Sequence, residues 1–164
     1  MSLTIRPVEP RDHAALAEIF SHYVRHTTVS LSAVEKDAAA MGGYFEGRAA
    51  LGRGSFVAEE GGVVLGYATY DQFRPNDGYR HTMEHTIMLT AAAAGRGAGR
   101  ALMQALEDHA RAAGQHVLVG AITADNAASI AFHEAMGFEI TGRMPQVGRK
   151  FDQWHDLVLM QKIL

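Results

Sequence analysis

Residues 82–100 restrict the fold more than any other stretch of the chain. Thr82–Leu89 reads as a strand, four alanines follow at 91–94, and Gly95-Arg-Gly-Ala-Gly-Arg100 leads into Leu102, Leu106, His109, Ala110 and Ala113 at helical spacing. The pattern predicts a strand, a glycine-rich turn and a helix over Ala101–Ala113. A helix start leaves backbone N–H groups unpaired at the positive end of its dipole, where a phosphate or pyrophosphate is favoured. A plain turn would not need three alternating glycines, which cost chain entropy, so a ligand is the better reading; Arg96 and Arg100 add charge. The Gly97-Ala-Gly99-Arg-Ala-Leu102 continuation lacks the third glycine of a dinucleotide fingerprint. A Walker loop is excluded because no Gly-Lys-Ser/Thr follows.

The flanking chain predicts the order β-α-α-β-β-β-α-β-α-β-β in one mixed sheet. Residues 3–8 form a first strand, and Asp12 can cap a helix whose apolar face holds Leu16, Ile19, Phe20, Tyr23 and Val24. Ser32 and Glu35 have capping-box spacing ahead of a second helix marked by Met41, Tyr44, Phe45, Arg48 and Leu51. Gly61-Gly62 separates two β-rich runs as a hairpin. His116–Ile122 is nearly all apolar and suits a parallel strand covered on both faces. Asp125 or Asn126 can cap a short helix that Gly137 ends, Phe138–Thr141 begins another strand, and Trp154–Leu164 closes the sheet. Pro145–Gln153 reads as a polar connection.

A length of 164 residues suits a single domain, 1–164. There is no apolar run of roughly 20 residues and no apolar leader, so a cytoplasmic location without a membrane partner is the default. Without cysteine there is no thiolate nucleophile and no disulfide. A net charge of −3 argues against general nucleic-acid binding and for a small-molecule partner.

Glu84 lies on a strand that should be central, sharing a face with Thr86 and Met88 among apolar neighbours. A partly buried carboxylate with a raised pKa can take a proton from an amine. His81-Thr-Met-Glu84-His85 also matches the H-x-x-E-H pattern of a zinc protease, but that pattern needs a helix, and no metal site is expected. His22 and His26, four apart on the first helix, carry no such expectation. Arg74 and Arg80 bracket the loop before Glu84 and could bind an anionic amino-acid substrate, or simply be surface residues. Asn126, Ser129 and His133 could line the same cleft, or serve as a cap and a half-buried helix residue.

Two runs then carry a family resemblance: Gly-Arg-Gly-Ala-Gly-Arg after a strand, and Asn126-Ala-Ala-Ser-Ile-Ala-Phe-His-Glu-Ala-Met-Gly-Phe138. They resemble the GNAT superfamily of acyl-CoA-dependent N-acetyltransferases. His22-Tyr23 with Thr27-Thr-Val29, Tyr79–Glu84, His133–Phe138 and Gly148–Asp156 are similar to the phosphinothricin and methionine sulfoximine or sulfone acetyltransferases within it. The resemblance implies an α/β (α+β) fold with a mixed, mostly antiparallel twisted sheet, flanking helices and a splayed central parallel pair. It implies acetyl-CoA as co-substrate, its pyrophosphate on Gly95, Arg96, Gly97, Ala98, Gly99 and Arg100, its pantetheine arm along Ile87, Met88 and Leu89, and Asn126 and Ser129 across the cleft. Glu84 matches the general base and His133 a histidine of this family, where other members carry a tyrosine proposed as acid. Arg74, Pro75, Asn76, Glu84, His85 and Thr86 match substrate contacts, and a homodimer is implied. The family's loop usually begins with Arg or Gln where this chain has Ala94. Transfer to a small amino-acid analogue is the leading expectation; a peptide N-terminus, a polyamine or a silent acyl-CoA-binding module are the alternatives.

Overall fold

The computed structural model describes residues 1–164. Its strands are β1 (Leu3–Pro7), β2 (Ser55–Glu60), β3 (Val63–Gln72), β4 (Thr82–Leu89), β5 (Val117–Thr123), β6 (Glu139–Lys150) and β7 (Gln153–Ile163). Its α-helices are α1 (His13–His26), α2 (Ala38–Ala50), α3 (Ala98–Ala112) and α4 (Ala127–Ala135), and the order of elements is the one expected. The seven strands form one sheet in the order β1-β2-β3-β4-β5-β7-β6, antiparallel except for β4 beside β5. No helix is long and apolar enough to cross a membrane.

The sheet is covered on both faces. On one, Leu16, Phe20, Met41 and Phe45 of α1 and α2 pack with Val57, Tyr67 and Met88. On the other, Leu102, Met103, Leu106 and Ala110 of α3 pack with Ala68, Tyr70, Met83 and Leu118. Met83 and Met88 of one strand thus serve opposite clusters, the period-two alternation that places Glu84, Thr86 and Met88 on the α1/α2 face. Across the α3 layer, buried Glu107 accepts from Lys162 Nζ at 2.9 and 3.0 Å, and the same ammonium donates at 2.7 Å to the Met136 carbonyl at the end of α4.

β4 and β5 pair over three residues only, Thr82 with Val117 through Glu84 with Val119. Beyond Glu84, β4 stays on β3 as far as Leu89, while β5 follows β7 to Thr123. The sheet therefore splits between them. Thr82 accepts from Phe73 and Thr90 donates to Leu65, so even-numbered residues of β4 bond toward β3. By alternation, the backbone N–H and C=O groups of Ile87 and Leu89 face the split.

Local details differ from the sequence reading. Ser32 and Glu35 cap nothing: α2 starts six residues after Ser32, where Asp37 accepts from the Ala40 N–H at 2.8 Å, and Ser32 instead bonds Val34. Asp12 stands at the N-cap of α1, but its carboxylate takes two bonds of 2.8 Å from the Arg6 guanidinium and one from the Glu9 N–H. α3 begins at Ala98 rather than Ala101, because Gly97 turns the chain at φ 74 immediately before it. Pro145–Gln153 is not a connection: β6 runs on to Lys150 despite a register shift between Met144 and Gly148, and Phe151-Asp152 makes the turn. As an edge strand, β6 tolerates Pro145.

Candidate active site

At the far end of the split, α3 presents an N-terminus without a side-chain cap. Its first helical bond is the Ala101 N–H to the Gly97 carbonyl, which leaves the N–H groups of Ala98, Gly99 and Arg100 without backbone partners. These residues line a groove of about 840 Å³ with Gly95, Gly97, Ala94, Leu89, Tyr23 of α1 and Phe132 of α4. Gly95 and Gly97 sit at φ 72 and 74, which a side chain would strain. Arg100 lines the groove. Arg96 does not: its guanidinium pairs with Glu60. The Tyr23 hydroxyl donates to the Leu89 carbonyl, so the free polar groups of that edge are the Leu89 N–H and both groups of Ile87.

A second cavity of about 220 Å³ occupies the split itself. It gathers Glu84, His85, Thr86, Ile87 and Met88 of β4, Gly120–Thr123 of β5, and Asn126, Ser129 and His133 of α4. The sequence reading thus finds its β4 and α4 candidates in one place. Asn126 Oδ1 also caps α4, accepting from the Ser129 N–H at 3.2 Å. Glu84 is open to solvent on one side, yet partial burial against the cavity wall raises its pKa above the ordinary carboxylate range. Because β4 alternates, Glu84 and His85 point to opposite faces, and the helical geometry of a zinc-protease motif does not arise.

Arg74, Pro75, Asn76 and Arg80 are not brought to this cavity within the chain. They stand exposed on the loop before β4, with the Arg74 guanidinium over the Phe73 ring at 5.2 Å and Arg80 bonded to the Asp77 carbonyl. In their place the cavity contains Phe20 of α1, Val29, which is one of the residues that carry the family resemblance, Ser30 and Lys36 of the segment after α1, and Tyr44 of α2. Phe20 and Tyr44 carry the helical period of core residues, and nothing local marks Lys36. Lys150 on β6 was also unforeseen. Its buried ammonium donates to the carbonyls of Thr27 at 2.7 Å, Ser30 at 2.6 Å and Tyr23 at 3.4 Å, fastening the end of α1 and one cavity wall to the β6–β7 hairpin.

His85 and His133 meet edge to edge, Nε2 to Nε2 at 2.8 Å, both buried. His133 Nδ1 lies 2.7 Å from the Ser129 carbonyl, which can only accept, so Nδ1 carries the proton and Nε2 accepts from His85. Gly120 permits this approach, since a Cβ there would stand 3.1 Å from His85 Cε1. A further proton would set N–H against N–H. Burial, and secondarily the charge of His133, holds the His85 pKa at about 3; burial lowers that of His133 as well. The unfolded chain, with its histidines near 6.5, binds more protons than the folded one below that pH. Stability contributed by the neutral pair is complete above pH 6.5 and is lost as the pH falls toward 3, by about 2 kcal/mol at pH 5 for His85 alone. Urea denaturation at pH 7 and pH 5 should show this loss, and it should shrink in His85→Leu; an equal loss in the variant would exclude the pair as its source.

A sheet split beside a glycine-opened helix N-terminus, with a carboxylate at the mouth of the split, defines an acyl-transfer fold. Residues 14–138 match the model of the acetyltransferase (GNAT) family, and the chain belongs to that family. It is 43% identical over 159 residues to an L-methionine sulfoximine/L-methionine sulfone acetyltransferase of Salmonella typhimurium, covering 97% of this chain and 93% of the relative. Among solved structures, an acetyltransferase of Salmonella typhimurium with its cofactor acetyl-CoA superposes with a TM-score of 0.96 at 43% identity, over 100% of this chain and 95% of the other. A Brucella melitensis chain described as a ribosomal-protein-alanine N-acetyltransferase superposes with a TM-score of 0.95 at 41% identity, over 98% and 99%.

Proposed function

We propose that this chain, acting as one catalytic domain, acetylates the amino group of a small amino-acid analogue of the methionine sulfone, methionine sulfoximine or phosphinothricin type. The observation that carries the reading is the continuity of two sites along β4: an uncapped helix start and free strand edge at Leu89–Arg100, and a carboxylate in a small cavity at Glu84. The residues fit acetyl-CoA. The N–H groups of Ala98, Gly99 and Arg100 would hold its pyrophosphate, and Ile87 and Leu89 its amide-bearing arm. Acetyl-CoA supplies the activated acetyl thioester.

Glu84 accepts the proton that the substrate's amine gives up, directly or through a water. The Ile87 N–H is aimed into the split, where it can donate to a carbonyl oxygen gaining negative charge. The cavity walls hold the amine in line, which supplies much of the rate. Transfer would be direct within a ternary complex, the amine nitrogen bonding the acetyl carbon as the carbon–sulfur bond breaks. Coenzyme A departs as its thiolate, which needs no acid from the chain; this is consistent with a chain that has no cysteine. We assign His133 no acid role: its one proton is given to Ser129, and its other nitrogen faces His85. Asn126 and Ser129 shape the wall opposite β4. The reading includes a cytoplasmic setting and a homodimer. In support of the latter, edge strand β6 and its turn expose Met144, Val147 and Phe151, with Trp154 beside them on β7, a surface that a second copy could cover.

The Brucella neighbour keeps a peptide N-terminus as a second reading. Thiol release from acetyl-CoA, measured against methionine sulfone, methionine sulfoximine, phosphinothricin, alanine-terminated peptides and polyamines, separates the two. Turnover should be highest on the amino-acid analogues. Turnover on peptides alone would replace the reading, and tight acetyl-CoA binding without turnover on any amine would mark a silent module.

A further inference from the structure

Of the three lysines in the chain, two have polar partners: Lys150 has three carbonyls, and Lys162 has Glu107 with the Met136 carbonyl. Lys36 differs. Its ammonium stands 3.9 Å from the centroid of the Phe20 ring and 5.0 Å from that of Tyr44, half-buried on the wall of the cavity that holds Glu84. No carboxylate lies within ion-pair distance of it. Burial lowers its pKa, and the positive charge of Arg48, whose guanidinium stacks on the other ring of the pair at 3.5 Å, lowers it further. The segment carrying Lys36 is fixed from behind, because Ser21 Oγ donates to the Lys36 carbonyl at 3.2 Å.

Two aromatic faces attract an ammonium but give its N–H donors no acceptor, so a partly desolvated lysine in this setting gains most from an anion brought by a ligand. Glu84 is the sole acidic side chain lining the cavity. One small cavity therefore presents a carboxylate and a lone ammonium, the complement of the two charged groups of an α-amino acid. A polyamine would place a second cation against Lys36. A peptide N-terminus would bring an amide where the carboxylate is needed, and would leave the ammonium unpaired.

We propose that Lys36 binds the α-carboxylate of an amino-acid substrate whose amino group is held at Glu84, and that it makes the enzyme selective for free amino acids over peptides and amines. The proposal rests on the acetyl-transfer reading for the identity of the reaction, but not for binding. The site differs from the arginines of the 74–80 loop, which lie outside the cavity in this chain.

The test compares L-methionine sulfone with its carboxamide, which keeps the amine and side chain but lacks the negative charge. Dissociation constants are measured by calorimetry on the enzyme saturated with coenzyme A, and kcat/KM by thiol release, for wild type, Lys36→Met and Lys36→Arg. Wild type should favour the acid over the amide roughly tenfold or more in both readouts, the worth of one charge-assisted hydrogen bond. Lys36→Met should bring that ratio close to one, chiefly through KM, without changing the KM for acetyl-CoA; Lys36→Arg should keep most of it. An unchanged ratio in Lys36→Met, or wild type without preference for the acid, overturns the proposal. Equal losses on acid and amide also overturn it, since they would show a structural role. If charge-selective binding is present and lost in Lys36→Met while no amine is acetylated, the carboxylate site stands and the acetyl-transfer reading falls.

Discussion

Glu84→Gln should lower kcat by roughly 10²–10⁴-fold, the usual worth of a positioned general base, while the KM for acetyl-CoA stays close to wild type. The amide has the shape of the carboxylate, and the side chain is open to solvent at the mouth of the cavity, so folding should be unaffected. The pH profile adds a second readout. A base must be ionised to act, so the raised pKa of Glu84 shifts the acidic limb of kcat/KM above the ordinary glutamate range. In Glu84→Gln that limb should vanish from what activity remains. Near wild-type turnover in the variant would show that proton uptake lies elsewhere.

The largest expected effect on stability lies away from the site, at Lys162. Its ammonium is the main partner of Glu107, which is 1% exposed, and it also satisfies the carbonyl that ends α4. Lys162→Met leaves the carboxylate with Arg111 alone, at 3.2 Å and partly in solvent. Breaking a buried pair from one side costs about 3 kcal/mol, a fall in Tm of roughly 6–12 °C for a chain of this length. Lys162→Met combined with Glu107→Leu should recover much of that loss, because the uncompensated charge is gone. Thermal and urea unfolding of the two variants decide this; a double variant less stable than the single one would show that the pair contributes more than mutual neutralisation.

The parts legible in the sequence are those whose physics is local. The turn at Gly95–Arg100 announces itself because glycines and a following helical period are adjacent in the chain, and the facing of Glu84 follows from alternation along one strand. The cavity wall was not legible for the opposite reason. Phe20, Lys36 and Tyr44 lie on three separate segments, two of them as ordinary helix-face residues, and converge only when α1 and α2 pack on β4. Lys150 reaches back to Thr27 and Ser30 across more than a hundred residues, and no spacing rule spans that distance. Arg74 and Arg80 stand near Glu84 in sequence, but the turn before β4 leaves them exposed and outside the cavity lining within the single chain. For His133 the residue was noticed but its partner was not, since contact with His85 depends on Gly120 lying between them across the split.

The split between β4 and β5 divides recognition by atom type. On the groove side, the groups proposed to hold the cofactor are main-chain N–H and C=O, which every residue but proline supplies, so a side chain lost at Ala94 leaves them in place. On the cavity side, the groups proposed to discriminate are side chains, and Lys36 and Tyr44 among them come from segments that carry none of the groove's hydrogen-bonding edge. The two halves can therefore diverge at different rates in evolution: a lineage can exchange Lys36 or Tyr44 and acquire a new amine while inheriting its acyl donor unchanged.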